Sequence, residues 1–257
     1  MNVVVAGGGT IAPIDDVRHL ANVSTGRMAA MISEACLDRG ATVWHIHTPS
    51  AAMPLKRLAT LDLDTTDPAG ELDRLGRLAD HWATVKDRLR LVPLARGTVD
   101  EYQAALRAVL ESRAIEIAFL PIAVSDYLPE PVPGKIDSDS ESLIIACRRA
   151  PKVIRMVRDW SPSVYLVGFK LLSGVPREVL VREAERGCLI NRADLTVAND
   201  LDTVAAGRHE LLLVRPGLPV ETLEAGPDLA VQLVDRVASW ALEPGGPRWR
   251  VGEGAMP

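Results

Sequence analysis

Residues 3–27 read Val3-Val4-Val5-Ala6-Gly7-Gly8-Gly9-Thr10-Ile11-Ala12-Pro13-Ile14-Asp15-Asp16-Val17-Arg18-His19-Leu20-Ala21-Asn22-Val23-Ser24-Thr25-Gly26-Arg27. A short apolar run empties into three glycines, and a polar loop holding Arg18, Asn22 and Ser24-Thr25-Gly26 precedes a helical pattern. Strand, glycine turn, polar loop and helix in that order suit an α/β phosphate site. Glycines let backbone N–H groups approach an anion closely, and Ser or Thr at a helix start caps orphan N–H groups at the positive end of the helix dipole. A glycine run alone is equally consistent with a buried strand that ends in a tight turn. Arg18 and Asn22 in the same loop shift the balance toward a phosphate or nucleotide ligand.

Two phosphate signatures can be tested against this stretch. Gly7, Gly9 and Ala12 formally satisfy G-x-G-x-x-G/A, but Pro13 and the polar loop delay the helix that a dinucleotide fingerprint needs at once. The carboxylate for a ribose is missing too: the second strand reads Val43-Trp44-His45-Ile46-His47. A nicotinamide dehydrogenase is therefore the weaker reading. No Gly-Lys-Ser/Thr follows the glycines, which excludes a P-loop.

With 257 residues, 47% hydrophobic and 25% charged, the chain has the composition of a globular protein with a full core. A net charge of -5 argues against nucleic acid as a partner, since no basic excess is present to neutralise a duplex backbone. Cys36, Cys147 and Cys188 are too few and too scattered for a disulfide framework or a tetrahedral zinc site, and are expected to be buried thiols. The five histidines show no ligand spacing and read as structural or exposed. No secretory segment and no apolar run of about 18 residues is found, so a cytoplasmic protein is expected.

Beyond the first strand, short apolar runs alternate with helical periodicity. The spacing predicts a helix from Arg27 to Arg39 stopped by Gly40, a strand at Val43–Ile46, an irregular stretch to Pro68, and a helix over Glu71–Arg88. A strand at Arg90–Pro93, a helix over Val99–Arg113 and a buried strand at Ile115–Pro121 follow. Leu128 to Ser142, with three prolines and no apolar periodicity, reads as a functional loop or flap. Strands at Leu143–Cys147, Tyr165–Gly168, Leu195–Ala198 and Glu210–Val214 alternate with helices at Lys152–Asp159, Arg177–Arg186 and Leu229–Leu242. The expected fold is α/β, a doubly wound, mostly parallel, Rossmann-like sheet in one domain over 1–242, with a flexible substrate flap at about 128–142. The Gly- and Pro-rich tail, 243–257, is expected to be disordered.

Ligands of such sheets bind beyond the carboxyl ends of the strands. Polar segments fall at four of those ends: the glycines with Arg18 and Asn22, then Ala123-Val124-Ser125-Asp126, then Phe169-Lys170, then Asn199-Asp200. One polar strand end is usually only a turn; four at one edge suggest a site.

In this order, Gly-Gly-Thr, Pro-Ile-Asp, Asn-x-Ser-Thr-Gly-Arg, Ala-Val-Ser-Asp-Tyr, Lys-Ile, Ala-Pro-Lys-Val-Ile, Val-Gly-Phe-Lys-Leu-Leu and Ala-Asn-Asp-Leu resemble the phosphopantothenate–cysteine ligase family over about Val3 to Val214. The likeness is greatest to the stand-alone bacterial form, which lacks a fused flavin decarboxylase. The resemblance implies a nucleotide-dependent ligase of coenzyme A biosynthesis. It would join 4'-phosphopantothenate to L-cysteine through an acyl nucleotide, an acyl cytidylate where CTP is used, with Mg2+ and either CTP or ATP as co-substrate. It also implies a cytoplasmic homodimer with small-molecule partners and no membrane.

The resemblance gives Lys135 the role of the cation beside the reacting phosphate, Asn22 that of holding the acyl nucleotide, and Arg18 that of pairing with the pantothenate substrate across a dimer interface. Gly8, Gly9, Thr10, Ser24 and Gly26 would line the phosphates. Ala123, Asp126, Pro151, Lys152, Val153, Ile154, Phe169 and Asn199 would shape the nucleotide and substrate pockets. Metal ligands are not indicated. Taken alone, Lys135 is an exposed loop lysine, Phe169 is ordinary core and Asp126 is a turn residue. Arg148-Arg149 reads as a solvated edge.

This chain departs from the family pattern in places. Asp137 and Ser138 follow Lys135 where fused enzymes carry further lysines. Gly187, Ile190 and Asn191 occupy the area of expected helix lysines, leaving Arg186 and Arg192 as sources of charge. These departures keep two alternatives open: a non-catalytic nucleotide-binding regulatory protein, and a divergent paralogue joining a different carboxylate and amine.

Overall fold

The computed structural model describes residues 1–139, 141–205 and 210–242. The tail expectation for 243–257 lies outside them. The first half contains β1 (Asn2–Gly7), β2 (Ile11–Pro13), β3 (His19–Ala21), α1 (Arg27–Asp38), β4 (Thr42–His47), α2 (Pro68–Val85), β5 (Leu89–Pro93), α3 (Val99–Ser112) and β6 (Ile117–Leu120). The second half contains β7 (Tyr127–Pro129), β8 (Cys147–Arg149), α4 (Val157–Trp160), β9 (Tyr165–Leu172), α5 (Arg177–Asn191), β10 (Leu195–Asp200), α6 (Leu201–Ala205), β11 (Leu211–Val214), β12 (Glu221–Leu223) and α7 (Leu229–Leu242).

Eight strands form one sheet in the order β12-β11-β10-β9-β6-β1-β4-β5. From β10 to β5 every neighbour pair is parallel, while β11 and β12 add an antiparallel edge. The chain builds outward from β1 through β4 to β5, then returns to the other side of β1 and builds outward again from β6. The reversal puts the topological switch point between β1 and β6, where doubly wound sheets bind ligands. The expected doubly wound, mostly parallel α/β fold is the observed one.

Alternation along β1 divides the core. Val3 and Val5 pack with Ala29 and Ile32 of α1 and with Leu233 and Val237 of α7 on one face. Val4 and Ala6 pack with Tyr102 and Leu106 of α3 and Val157 of α4 on the other. A strand buried on both faces has no polar register to alternate, which is why the run Val3–Ala6 is continuously apolar. α3 starts at a capping box: the Glu101 amide donates to Thr98 Oγ1 at 3.3 Å, and the Glu101 carboxylate accepts from the Thr98 amide at 3.3 Å and the Gly97 amide at 2.8 Å. α2 starts at Asp67, whose carboxylate accepts the Gly70 amide at 3.0 Å, with Pro68 in the first turn.

Several local expectations are corrected. The strand expected at Leu143–Cys147 is instead the three-residue β8 from Cys147 to Arg149, paired antiparallel with β7 outside the main sheet. Leu143 and Ile144 are exposed, so their apolar character reports no core position. Cys147 on β8 is likewise exposed, against the expectation of three buried thiols; Cys36 and Cys188 are buried. Burial pushes the Cys36 thiol up to about 12 and the Cys188 thiol to about 11. His45 lies in the core with its Nδ1 2.8 Å from Ser33 Oγ, consistent with a structural histidine.

Candidate functional site

The three glycines make room for the chain's own atoms. Gly8 has φ 99°, and a Cβ there would lie 2.0 Å from Thr48 Oγ1. A Cβ on Gly9 would lie 2.1 Å from the Asn22 carbonyl oxygen, and one on Gly7 would lie 2.3 Å from the Ala29 Cβ. The turn is therefore glycine because β4, the Asn22 loop and α1 converge on it. Gly26 at φ 70° is the N-cap of α1 and provides no side-chain cap. Ser24 and Thr25 accept instead from the Gly26 and Arg27 amides, at 3.4 Å each.

Beyond the glycines the chain stays beside β6. The Thr10 amide donates to the Ala123 carbonyl at 2.9 Å, and the Ala123 amide donates to the Gly8 carbonyl at 2.9 Å. Thr10 is fully buried, and its Oγ1 accepts the Ser125 amide at 2.9 Å. Its hydroxyl thus serves the 123–126 segment. This segment leads to Asp126, whose carbonyl accepts the Ala150 amide at 2.9 Å. Pro151 and Lys152 are thereby brought to the same rim, and the Lys152 ammonium forms an ion pair with the Asp126 carboxylate.

A cavity of about 690 Å³ opens at the carboxyl ends of β6, β9 and β10, against the loop that precedes α1. Its lining contains Asn22, Ser24, Ala123, Asp126, Pro151, Lys152, Val153, Ile154, Phe169 and Asn199, ten of the residues singled out from the sequence. Gly8, Gly9, Thr10, Gly26, Arg18 and Lys135 are not in its lining. Five basic side chains, Arg149, Lys152, Arg155, Lys170 and Arg186, share the lining with only two acidic ones, Asp126 and Glu183. In a chain of net charge -5 this is a local reversal of sign, and it favours an anionic ligand.

Arg149 and Arg155 were not predicted for the site. Arg149 ends β8, whose three residues are all exposed, as expected of a solvated edge, and it also borders the cavity. Arg155 follows the Lys152-Val153-Ile154 run directly, and that adjacency was the available signal. Of the two arginines expected to supply charge near α5, Arg186 lines the cavity. Arg192 turns away, donating to Asp159 at 2.8 Å and to the Arg155 carbonyl at 2.9 Å.

Arg18 is engaged elsewhere. β2 and β3 form a hairpin, and in its turn Arg18 Nη1 donates to Asp15 Oδ2 at 3.0 Å and to the Ile136 carbonyl at 3.1 Å. Nη2 reaches Ser138 Oγ at 3.3 Å. Lys135 therefore sits on a loop docked to the turn that carries Arg18. Among the described residues there is no group of three or more His, Cys, Asp or Glu side chains that could hold a metal ion, and no helix long and apolar enough to cross a membrane.

Comparison with known proteins gives the same direction. Residues 1–71 match the family described as DNA/pantothenate metabolism flavoprotein C-terminal domain. The chain is 28% identical over 215 residues to the coenzyme A biosynthesis bifunctional protein CoaBC of Thermococcus kodakarensis, covering 82% of this chain and 44% of that protein. It therefore spans less than half the length of that bifunctional relative. It is 26% identical to the phosphopantothenate–cysteine ligase of Homo sapiens, with 92% of this chain and 85% of the human protein covered. In fold it is similar to the DNA/pantothenate metabolism flavoprotein of Streptococcus pneumoniae, with a TM-score of 0.74, 24% identity and 93% and 99% of the two chains covered. A Cab2 variant in complex with phosphopantothenate-cysteine superposes with a TM-score of 0.77 at 20% identity, over 93% of this chain and 86% of that one. Across its motifs, its sequence relatives and its sheet order, this chain resembles the phosphopantothenate–cysteine ligase family.

Proposed function

We propose that this protein is a phosphopantothenate–cysteine ligase. The observation that carries the reading is the cavity at the switch-point edge of the sheet, where Asn22, Asp126, Phe169 and Asn199 share one lining with five cations. That charge suits a nucleoside triphosphate and a phosphorylated carboxylate together.

In the first step a carboxylate oxygen of 4'-phosphopantothenate attacks the α-phosphorus. The bond from that phosphorus to the bridging oxygen breaks, and pyrophosphate leaves. In the second, the cysteine amine attacks the acyl carbon, the nucleoside monophosphate leaves with the acyl oxygen, and the ammonium proton passes to solvent. Lys135 is assigned to the charge that develops on the phosphates in the first step. Asn22 offers an amide that donates and accepts, suited to holding the acyl nucleotide. Asp126 and Asn199 are assigned to the ribose and base, and Phe169 to a flat apolar contact. Mg2+ is assigned as the counter-ion that enters with the nucleotide, either CTP or ATP.

A homodimer in the cytoplasm belongs to the same reading. Arg18 retains its Nε–H and one Nη2 hydrogen after its contacts within the chain, enough to pair with a carboxylate held by a second copy. Val17, at 63% exposure, stands on the same hairpin turn. The test is to mix the protein with 4'-phosphopantothenate, cysteine, Mg2+ and either CTP or ATP and to follow pyrophosphate. Release that depends on both nucleotide and phosphopantothenate is expected; none with either nucleotide overturns the reading.

A further inference from the structure

Asp15 is a buried carboxylate at the turn of a hairpin whose second half is exposed: its side chain is inaccessible while Asp16, Val17, His19, Leu20 and Ala21 face solvent. Burying a carboxylate is costly unless its oxygens are fully engaged. Here one oxygen serves the turn itself, and Oδ1 accepts the amides of Val17 at 2.9 Å and Arg18 at 2.7 Å. The other oxygen serves a segment more than a hundred residues away. Oδ2 accepts the Ile136 amide at 3.1 Å and Arg18 Nη1 at 3.0 Å, while the same Nη1 holds the Ile136 carbonyl. Burial raises the Asp15 pKa, but the amides of Val17, Ile136 and Arg18, with the Arg18 charge, outweigh it and hold the carboxyl below its ordinary value.

The contacts continue on both sides of Lys135. The Val132 amide donates to the Ile14 carbonyl at 2.9 Å, and the Asp16 amide donates to the Gly134 carbonyl at 3.0 Å. The Gly134 amide in turn reaches Asp16 Oδ2 at 3.1 Å. Residues 132, 134 and 136 are thus pinned, and Lys135 is the one between the last two. The same hairpin, at its other end, delivers Asn22 to the cavity rim, where its amide donates to the Thr10 carbonyl at 3.4 Å. One hydrogen-bonded unit therefore carries the loop lysine and the rim asparagine.

We propose that Asp15 is a positioning residue: it clamps the Lys135–Ile136 peptide onto the hairpin turn, and so sets where the Lys135 ammonium stands relative to Asn22. The catalytic half of this rests on the ligase reading above; the clamp itself does not.

Two measurements on the full chain separate them. Trypsin cuts after Lys135, and the amide of that scissile bond is the one held by Asp15. Asp15→Asn should speed cleavage at Lys135–Ile136 by about 10-fold or more, the scale of losing a hydrogen bond to a charged group, and leave cleavage at Arg148–Arg149 unchanged. Asp16→Asn, at an exposed carboxylate that cannot unfold the core, should act in the same direction at the same bond. If neither variant favours Lys135–Ile136 over Arg148–Arg149, the clamp is refuted. The second measurement is pyrophosphate release in a mutant cycle. Asp15→Asn should lower kcat in the wild-type background and have no further effect when Lys135 is already alanine. Equal effects in both backgrounds mean that Asp15 acts on general stability and refute the positioning role. If wild type releases no pyrophosphate, the ligase reading fails while the proteolysis result still decides the clamp.

Discussion

Thr10 and Ser125 hold each other across the switch point: the Ser125 amide donates to Thr10 Oγ1 at 2.9 Å, and the Ser125 hydroxyl donates to the Thr10 carbonyl at 3.3 Å. Both side chains are buried, at 0% and 5% exposure, so each bond replaces water that cannot enter. Thr10→Val keeps the shape and orphans the Ser125 amide. A loss of about 1–3 kcal/mol in urea unfolding is expected. Because this pair fixes the segment that ends at Asp126, the variant should also raise the KM for nucleotide.

Lys152 and Asp126 pair at the rim with both side chains substantially exposed, so the pair contributes little to stability. Lys152→Ala should unfold within about 0.5 kcal/mol of wild type. Its ammonium is nonetheless one of the five cations of the cavity, and its removal should weaken nucleotide binding by about 10-fold, measured by titration calorimetry.

On the ligase reading, Lys135→Ala should slow pyrophosphate release by about 100-fold with no change in melting temperature, the result for a cation whose assigned role is to meet charge in the transition state. On the same reading, Asn22→Asp should leave the first step running and impair use of the acyl nucleotide, because a carboxylate would repel the phosphoryl oxygens that the amide is assigned to hold. Single-turnover measurements of pyrophosphate and nucleoside monophosphate distinguish the two steps.

His45 is neutral in the folded protein: burial first, and the neighbouring His47 second, depress its pKa to about 3 from 6.5. The unfolded chain takes up this proton near pH 6.5 and the native chain does not, so the unfolded state binds more protons at lower pH. His45 therefore gives its full stabilisation above 6.5, and it is lost progressively as pH falls toward 3. Wild type should lose urea midpoint between pH 6.5 and 4.5, before carboxylates titrate, and His45→Gln should flatten that part of the curve.

Gly8→Ala should be strongly destabilising, since φ 99° strains any side chain and the new Cβ meets Thr48 Oγ1. A cost above about 1 kcal/mol is expected. Thr48→Ala in the same chain should relieve the contact with Oγ1 and leave the strain together with the close approach to the Cβ atoms of residue 48 and Ala51, a partial rescue that chemical denaturation of the two single variants and the double variant can measure.

Much of the sheet was readable because its strands are short apolar runs between helical periodicities, with Gly40 after α1 as a local stop signal. The hairpin of β2 and β3 was not, since three-residue strands are too short for periodicity to show. Leu143 and Ile144 misled for the opposite reason, being apolar without being buried. For the site, the polar strand ends at Asn22, Asp126, Phe169 and Asn199 did converge. The glycines also have a packing role, since a Cβ at Gly7, Gly8 or Gly9 would meet Ala29, Thr48 or Asn22, contacts that no local pattern reveals. The clamp at Asp15 was hidden likewise, because its long-range partner, Ile136, is distant in sequence.

The main sheet ends on one side at β12, three residues long, and on the other at β5, which closes with Pro93 and places Arg90 in solvent. A short strand and a strand with a terminal proline are poor templates for another chain's backbone. The main sheet is thereby kept from adding strands at either end into a continuous ribbon of copies, and backbone pairing between copies is left to the exposed two-stranded sheets β2–β3 and β7–β8.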